Sequence, residues 1–138
     1  MSKQIFKNVK VTDVQKSMDF YSAMGFKNNI QFSDEEGKCM VWSDNIFLMI
    51  MSLEKFEKFT TRLIADTKTH IAGIFSLSVD GVDEINTIVD NAVKAGGTEI
   101  KELVDYGFMQ YRTVEDPDGH TGEVFYMDMS KIPQNQEQ

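Results

Sequence analysis

Few side chains in this chain carry reactive chemistry. There is one thiol, Cys39, two imidazoles, His70 and His120, and a carboxylate, Glu123, set in an apolar stretch near the end. Imidazoles titrate near neutrality and ligate metals, so both histidines qualify by type as ligands or proton carriers. A lone loop histidine more often serves the surface or a cap, and His120 directly follows a turn. Glu123 alternates with Phe125 and Met127, so the three share a strand face. That makes Glu123 either a solvated, hydrogen-bonded carboxylate or a carboxylate facing an apolar wall. In the second case desolvation would make it a base or the anchor of a ligand. The run Asp105-Tyr106-Gly107-Phe108-Met109-Gln110-Tyr111-Arg112 adds three aromatics and a guanidinium. It reads either as a packed hairpin with an exposed Arg112, or as a lid. A lid would stack a planar ligand while Arg112 holds an anion or pairs Glu123. No glycine-rich phosphate loop, Walker-like element or Ser-His-Asp set accompanies these residues.

The elements that must position them come twice. Ile5, Val9 and Val11 alternate as in a half-buried strand, and Thr12-Asp13-Val14-Gln15 has capping-box spacing. Val14, Met18 and Tyr21 follow at helical spacing and Gly25 stops the helix. Strand-like stretches then fall at Lys27–Phe32, Cys39–Trp42 and Ile46–Met51. The second half replays the order. Phe75, Leu77 and Val79 alternate, Asp80 takes the N-cap place, and Val82, Ile85, Val89 and Ala92 form a stripe ending at Gly96-Gly97. Strand-like stretches follow at Glu99–Val104, Met109–Val114 and Glu123–Met127, the last two joined by the turn Asp116-Pro117-Asp118-Gly119. Val11 to Val79, and Thr12 to Asp80, keep one offset of 68 residues. The expected organisation is one domain over 1–128: module one at about 4–52, a connecting amphipathic helix at about 53–66, and module two at about 72–128. A polar tail occupies 129–138.

Composition excludes several function classes. With 138 residues the chain suits a single core. Its net charge is −8, from 22 acids against 14 bases, and neither half carries a basic cluster, which disfavours nucleic acid as a partner. No apolar run approaches the roughly 20 residues of a membrane span. The start of the chain enters a strand without the apolar core of a signal peptide, and a lone cysteine forms no intramolecular disulfide, so the cytoplasm is the expected location.

Three stretches carry a family resemblance: Val9–Tyr21, Met24-Gly25-Phe26, and Asp116–Val124 (Asp-Pro-Asp-Gly-His-Thr-Gly-Glu-Val). In this order and spacing they resemble the vicinal oxygen chelate superfamily, which includes glyoxalases, bleomycin-resistance proteins and extradiol dioxygenases. The chain looks most like its small stand-alone glyoxalase-like members. The resemblance implies an α+β fold of two tandem βαβββ modules, whose curved mixed sheets enclose a cup. It also implies a divalent metal in that cup, held by the first and last strand of each module, and a homodimer.

Carried over residue by residue, the four metal positions fall on Phe6, Met49, Ile74 and Glu123. Phe and Ile donate no lone pair, and a thioether is a poor ligand for hard cations. A shift of two residues would substitute Asn8 and Ser76, both weak neutral ligands. No cofactor is therefore expected. Were a metal bound, Glu123, with His70 as a displaced ligand, would hold it. The expected function is metal-independent binding of a small, partly apolar molecule. Its walls would come from Phe6, Asn8, Met49, Ile74, Ser76, Tyr106, Phe108, Arg112, Glu123 and Phe125, with methionines lending adaptability. Two alternatives stand beside it. One is a metal-dependent lyase, isomerase or dioxygenase with an atypical ligand set and Glu123 as catalytic residue. The other is a non-catalytic interaction dimer with a filled cup.

Overall fold

The computed structural model describes residues 3–133. The first module runs β1 (Ile5–Lys10), α1 (Val14–Met24), β2 (Lys27–Asn29), β3 (Gly37–Ser43) and β4 (Ile46–Met51). Its sheet has the order β1-β4-β3-β2, with β1 parallel to β4 and the other pairs antiparallel. A short helix, α2 (Leu53–Phe56), leads towards the second module: β5 (Ile74–Ser78), α3 (Val82–Lys94), β6 (Thr98–Glu99), β7 (Val104–Asp105), β8 (Met109–Glu115) and β9 (Thr121–Met127). Its sheet repeats the plan as β5-β9-β8-β6, with β7 also paired to β8. The α+β architecture and the two mixed sheets are those expected.

Amphipathic patterning explains the assembly. Phe20, Tyr21 and Met24 of α1, and Ile85, Ile88, Val89 and Ala92 of α3, are buried. The two helices pack on each other and on their own sheets, and Val9, Val11, Leu48, Ile50, Leu77 and Val124 complete one shared core. Helix α1 ends where predicted, because Gly25 adopts φ 112° and its N–H returns to the Ser22 carbonyl. Among the described residues no helix is long and apolar enough to cross a membrane.

Local structure departs from the expected pattern where polar side chains compete with it. Asp13, not Thr12, caps α1, accepting from the Lys16 N–H at 3.0 Å. Thr12 is instead spent on Asp118. At α3 the capping place falls on Gly81 rather than Asp80, and the Glu84 side chain reaches back to the Asp80 N–H at 3.1 Å. The stretch predicted as a strand over Lys27–Phe32 breaks at Asn29, whose side chain accepts from the Gln31 N–H and starts a 3₁₀ turn over Ile30–Phe32. The stretch Glu99–Val104 pairs only at its ends, because residues 100–103 bulge out opposite Arg112 and Thr113. The connecting helix is one α turn and a 3₁₀ turn over Glu57–Phe59, and the rest of the link to β5 is irregular. There Thr60 accepts from the Arg62 N–H and Asp66 from the Lys68 N–H, local bonds that replace helical ones. Of the expected polar tail, Met129–Lys131 is a 3₁₀ turn and 134–138 lie outside the described residues.

The β8–β9 turn locks the modules together. The Tyr21 hydroxyl donates to the buried Asp116 carboxylate at 2.6 Å, and Asp118 accepts both the Thr12 N–H (2.9 Å) and its hydroxyl (2.6 Å). Burial raises the Asp116 carboxyl above its ordinary range, opposed by the Tyr21 hydroxyl and by His120. Burial and the Asp116 charge together hold the Tyr21 phenol well above its usual value. Tyr21→Phe should therefore cost about 1–3 kcal/mol at neutral pH, read from urea unfolding. The hydroxyl favours ionised Asp116, so the penalty should shrink as pH falls and the carboxyl takes up its proton. An unchanged midpoint at neutral pH would contradict this role.

Candidate functional site

With both helices on one side, the opposite faces of the two sheets are only partly covered: Phe6 and Ile74 are exposed there, while Cys39, Met51, Thr113 and Thr121 are buried. Strand alternation and register place the sequence-named residues on them. On the first sheet Phe6 lies beside Phe47, and Asn8 beside Met49, which in turn faces Cys39. The Phe6 and Phe47 rings stack at 4.3 Å and 8°. On the second sheet Ile74 lies beside Thr121, Ser76 beside Glu123, and Phe125 beside Tyr111. Phe6 and Ile74 are 49% and 51% exposed, so these large side chains do not plug a sealed core.

The structure brings Ser76 and Glu123 together: the hydroxyl donates to the carboxylate at 2.9 Å. Glu123 is half-buried rather than sealed among hydrocarbons. Opposite it on β8 stands Thr113, buried, whose hydroxyl has no partner among the described residues. Thr113 completes a hydroxyl–carboxylate–hydroxyl row that sequence reasoning missed, because only the β8 register reveals it. Cys39 is buried, and burial pushes its thiol up, so it stays protonated.

Arg112 corrects an expectation. It alternates with Thr113, so it points to the α3 side rather than towards Glu123. There it grips Glu99 through two bonds of 2.8 and 2.7 Å and lies 3.1 Å from Asp90. That hydrogen-bonded pairing lowers the Glu99 carboxyl and raises the guanidinium. Arg112 is a clasp over the β6–β8 bulge, not a ligand arm. Tyr106, Phe108 and Tyr111 do gather, with ring centroids 6.4 Å apart in both pairs that include Tyr106.

The residues at the positions where the family resemblance implies metal ligands are poor donors. The four positions offer one carboxylate, one thioether and two hydrocarbons, and the two-residue shift adds only an amide and a hydroxyl. Among the described residues no three His, Cys, Asp or Glu side chains converge. These residues do not fit a divalent cation.

A more enclosed space lies elsewhere. The irregular link crosses the end of β1 and borders a half-open pocket of about 350 Å³ together with β1, α2 and the start of β9. Apolar walls come from Val9, Phe56, Leu63, Ile64 and Ile71, and polar points from Asn8, Thr60 and Thr121. Lys7, Lys10, Arg62, His70 and His120 also line it. Of the residues named from sequence for the ligand, only Asn8 is here; the pocket also takes in His70, weighed as a metal ligand. Lysines on β1 were visible in the sequence, but the path of an irregular link has no periodic signature.

The link is held in place by the β8–β9 turn. The Thr67 hydroxyl donates to the Asp118 carbonyl at 2.5 Å, and the His120 ring Nε2 lies 2.7 Å from the Lys10 carbonyl. Gly119 sits at φ 91°, and a Cβ there would run into the Thr67 backbone.

The chain belongs to the Glyoxalase/Bleomycin resistance protein/Dioxygenase superfamily, whose sequence profile matches residues 7–124. It is similar to a trivalent organoarsenical cleaving enzyme of Bacillus sp. (strain MD1), with 23% identity over 122 residues, covering 86% of this chain and 69% of that protein. Its fold matches a glyoxalase-related enzyme from Fulvimarina pelagi at TM-score 0.77 and 16% identity, covering 91% of this chain and 88% of the other. A hypothetical protein from S. aureus matches at TM-score 0.76 and 21% identity, covering 91% and 94%.

Gly119→Ala should strain the turn and push the link away from it, lowering stability by about 1–3 kcal/mol. Amide hydrogen exchange across 60–73 should then accelerate relative to α1 and α3. Unchanged exchange in that segment would mean the link is not held from Gly119.

Proposed function

We propose that this protein binds a small, partly apolar molecule in the pocket beneath the link, without a resident metal. The pocket itself carries the reading. At about 350 Å³, with hydrocarbon walls and a few polar groups, it has the size and character of small-molecule sites. The Ser76–Glu123 pair can contribute hydrogen bonds to a ligand lying against the sheet. The lone buried Cys39 suits a reducing compartment, so the cytoplasm is the proposed location. A homodimer would cover the exposed apolar side chains Ile5 and Phe6 on the edge strand β1, with Ile46 beside them on β4.

Cleavage of a trivalent organoarsenical is a second reading, favoured by the similarity to the Bacillus protein. The donor set speaks against it. Trivalent arsenic seeks thiolates, and the single thiol here is buried and held in its protonated form.

Native mass spectrometry and metal analysis of protein purified without chelator test the proposal. The expected result is a small organic molecule that leaves on denaturation, with divalent metal far below one per chain. One equivalent of zinc, manganese, nickel or iron, lost in Glu123→Ala, would overturn the metal-free reading. Release of arsenite from a phenylarsenical would instead establish the second one.

A further inference from the structure

We infer that the pocket selects an organic anion: a single carboxylate-like head on an apolar body. The inference rests on the pocket-binding reading above and specifies its ligand class. The chain carries 22 acids and 14 bases, so a randomly composed wall would hold more carboxylates than cations. The pocket wall is the reverse. It contains Lys7, Lys10 and Arg62 together with His70 and His120, and not one Asp or Glu.

Two of those cations, Lys10 and Arg62, also have no counter-charge. Ion pairs at Lys55, Arg112 and Lys131 use other carboxylates. Among the described residues no carboxylate lies within pairing distance of Lys7, Lys10 or Arg62. Lys7 rests its ammonium 5.8 Å from the Phe75 ring, and Lys10 and Arg62 make no ion pair. Lys10 and Arg62, two unneutralised cations lining one concavity in a protein of net charge −8, lack a counter-charge. A bound anion supplies it.

Two histidines also line the wall. The His120 Nε2 faces the Lys10 carbonyl at 2.7 Å, so that nitrogen carries the proton and fixes the tautomer. The same contact holds the Lys10 backbone at the pocket wall. The His70 Nδ1 is 2.7 Å from the Thr69 hydroxyl, and His70 lines the pocket together with Lys10 and Arg62.

The ligand must also have an apolar body. Leu63 is 100% exposed and Ile71 62% exposed, although both line the pocket. Hydrocarbon left uncovered beside a cluster of cations suits an amphiphilic anion, not a bare phosphate or sulfate. A head among Lys10, Arg62 and His70 would leave the body against Leu63, Ile71 and Phe56.

Isothermal titration with 2-naphthoate and its neutral isostere 2-naphthamide tests this on the full chain. The expected result is one site for naphthoate, with naphthamide at least about fivefold weaker. Arg62→Gln and Lys10→Met should each weaken naphthoate by roughly fivefold and leave naphthamide unchanged. Arg62 lies on the exposed link, so Arg62→Gln stays informative if Lys10→Met misfolds. Raised salt should weaken naphthoate alone. Equal binding of both compounds, insensitive to Arg62→Gln, would overturn the anion assignment and leave the pocket reading intact. Binding of neither, together with no binding of benzoate, butyrate or inorganic phosphate, would overturn both. Phosphate binding as tightly as naphthoate would overturn the requirement for an apolar body.

Discussion

One turn, Asp116-Pro117-Asp118-Gly119-His120, holds this molecule together. Asp116 accepts the Tyr21 hydroxyl from α1 and organises its own turn through the N–H groups of Asp118 and His120. Asp118 takes both donors of Thr12 at the end of β1, while its carbonyl receives Thr67 from the link. His120 reaches the Lys10 carbonyl. Module one, the link and module two therefore meet at five consecutive residues of module two. A buried carboxylate is costly unless its bonds are filled, and these bonds exist only when all three parts are docked. The turn thus makes docking of the modules and placement of the link a single event.

That coupling shapes what the fold can do. The helices and shared core occupy one side of the sheets, and the turn brings the link across the end of β1. Chemistry is then divided between two places. The open sheet faces carry the positions where the family resemblance implies metal ligands, now occupied by Phe6, Met49, Ile74 and Glu123. The pocket under the link carries the cations. A scaffold can lose one chemistry and keep its shape, because the ligand positions face away from the core that stabilises it.

How far the sequence was legible follows from which signals are periodic. The two-module plan, the helices and Gly25 as a stop were readable because hydrophobic period and a left-handed glycine leave local traces. The first strands keep the 68-residue offset, from Asn8 to Ser76, and their partners Met49 and Glu123 are equivalent in register at an offset of 74. Arg112 was misassigned because a single-residue change of parity sends a side chain to the other face, and only the pairing of β8 with β9 decides that parity. The helix expected over about 53–66 was overestimated, since Leu53, Phe56, Thr60 and Leu63 keep helical spacing while Thr60 and Asp66 bond their own backbone instead. The pocket depends on the link's irregular path, and long-range hydrogen bonds such as Thr67 to Asp118 leave no mark in local sequence.

Amide chemical-shift mapping during a 2-naphthoate titration tests the central claim most directly. A saturable set of shifts confined to β1 residues Asn8 and Lys10, the link from Thr60 to Gly73, and Gly119–Thr121 is the predicted outcome. Shifts centred instead on Ser76, Glu123, Phe125 and Tyr106, with the link unmoved, would contradict it.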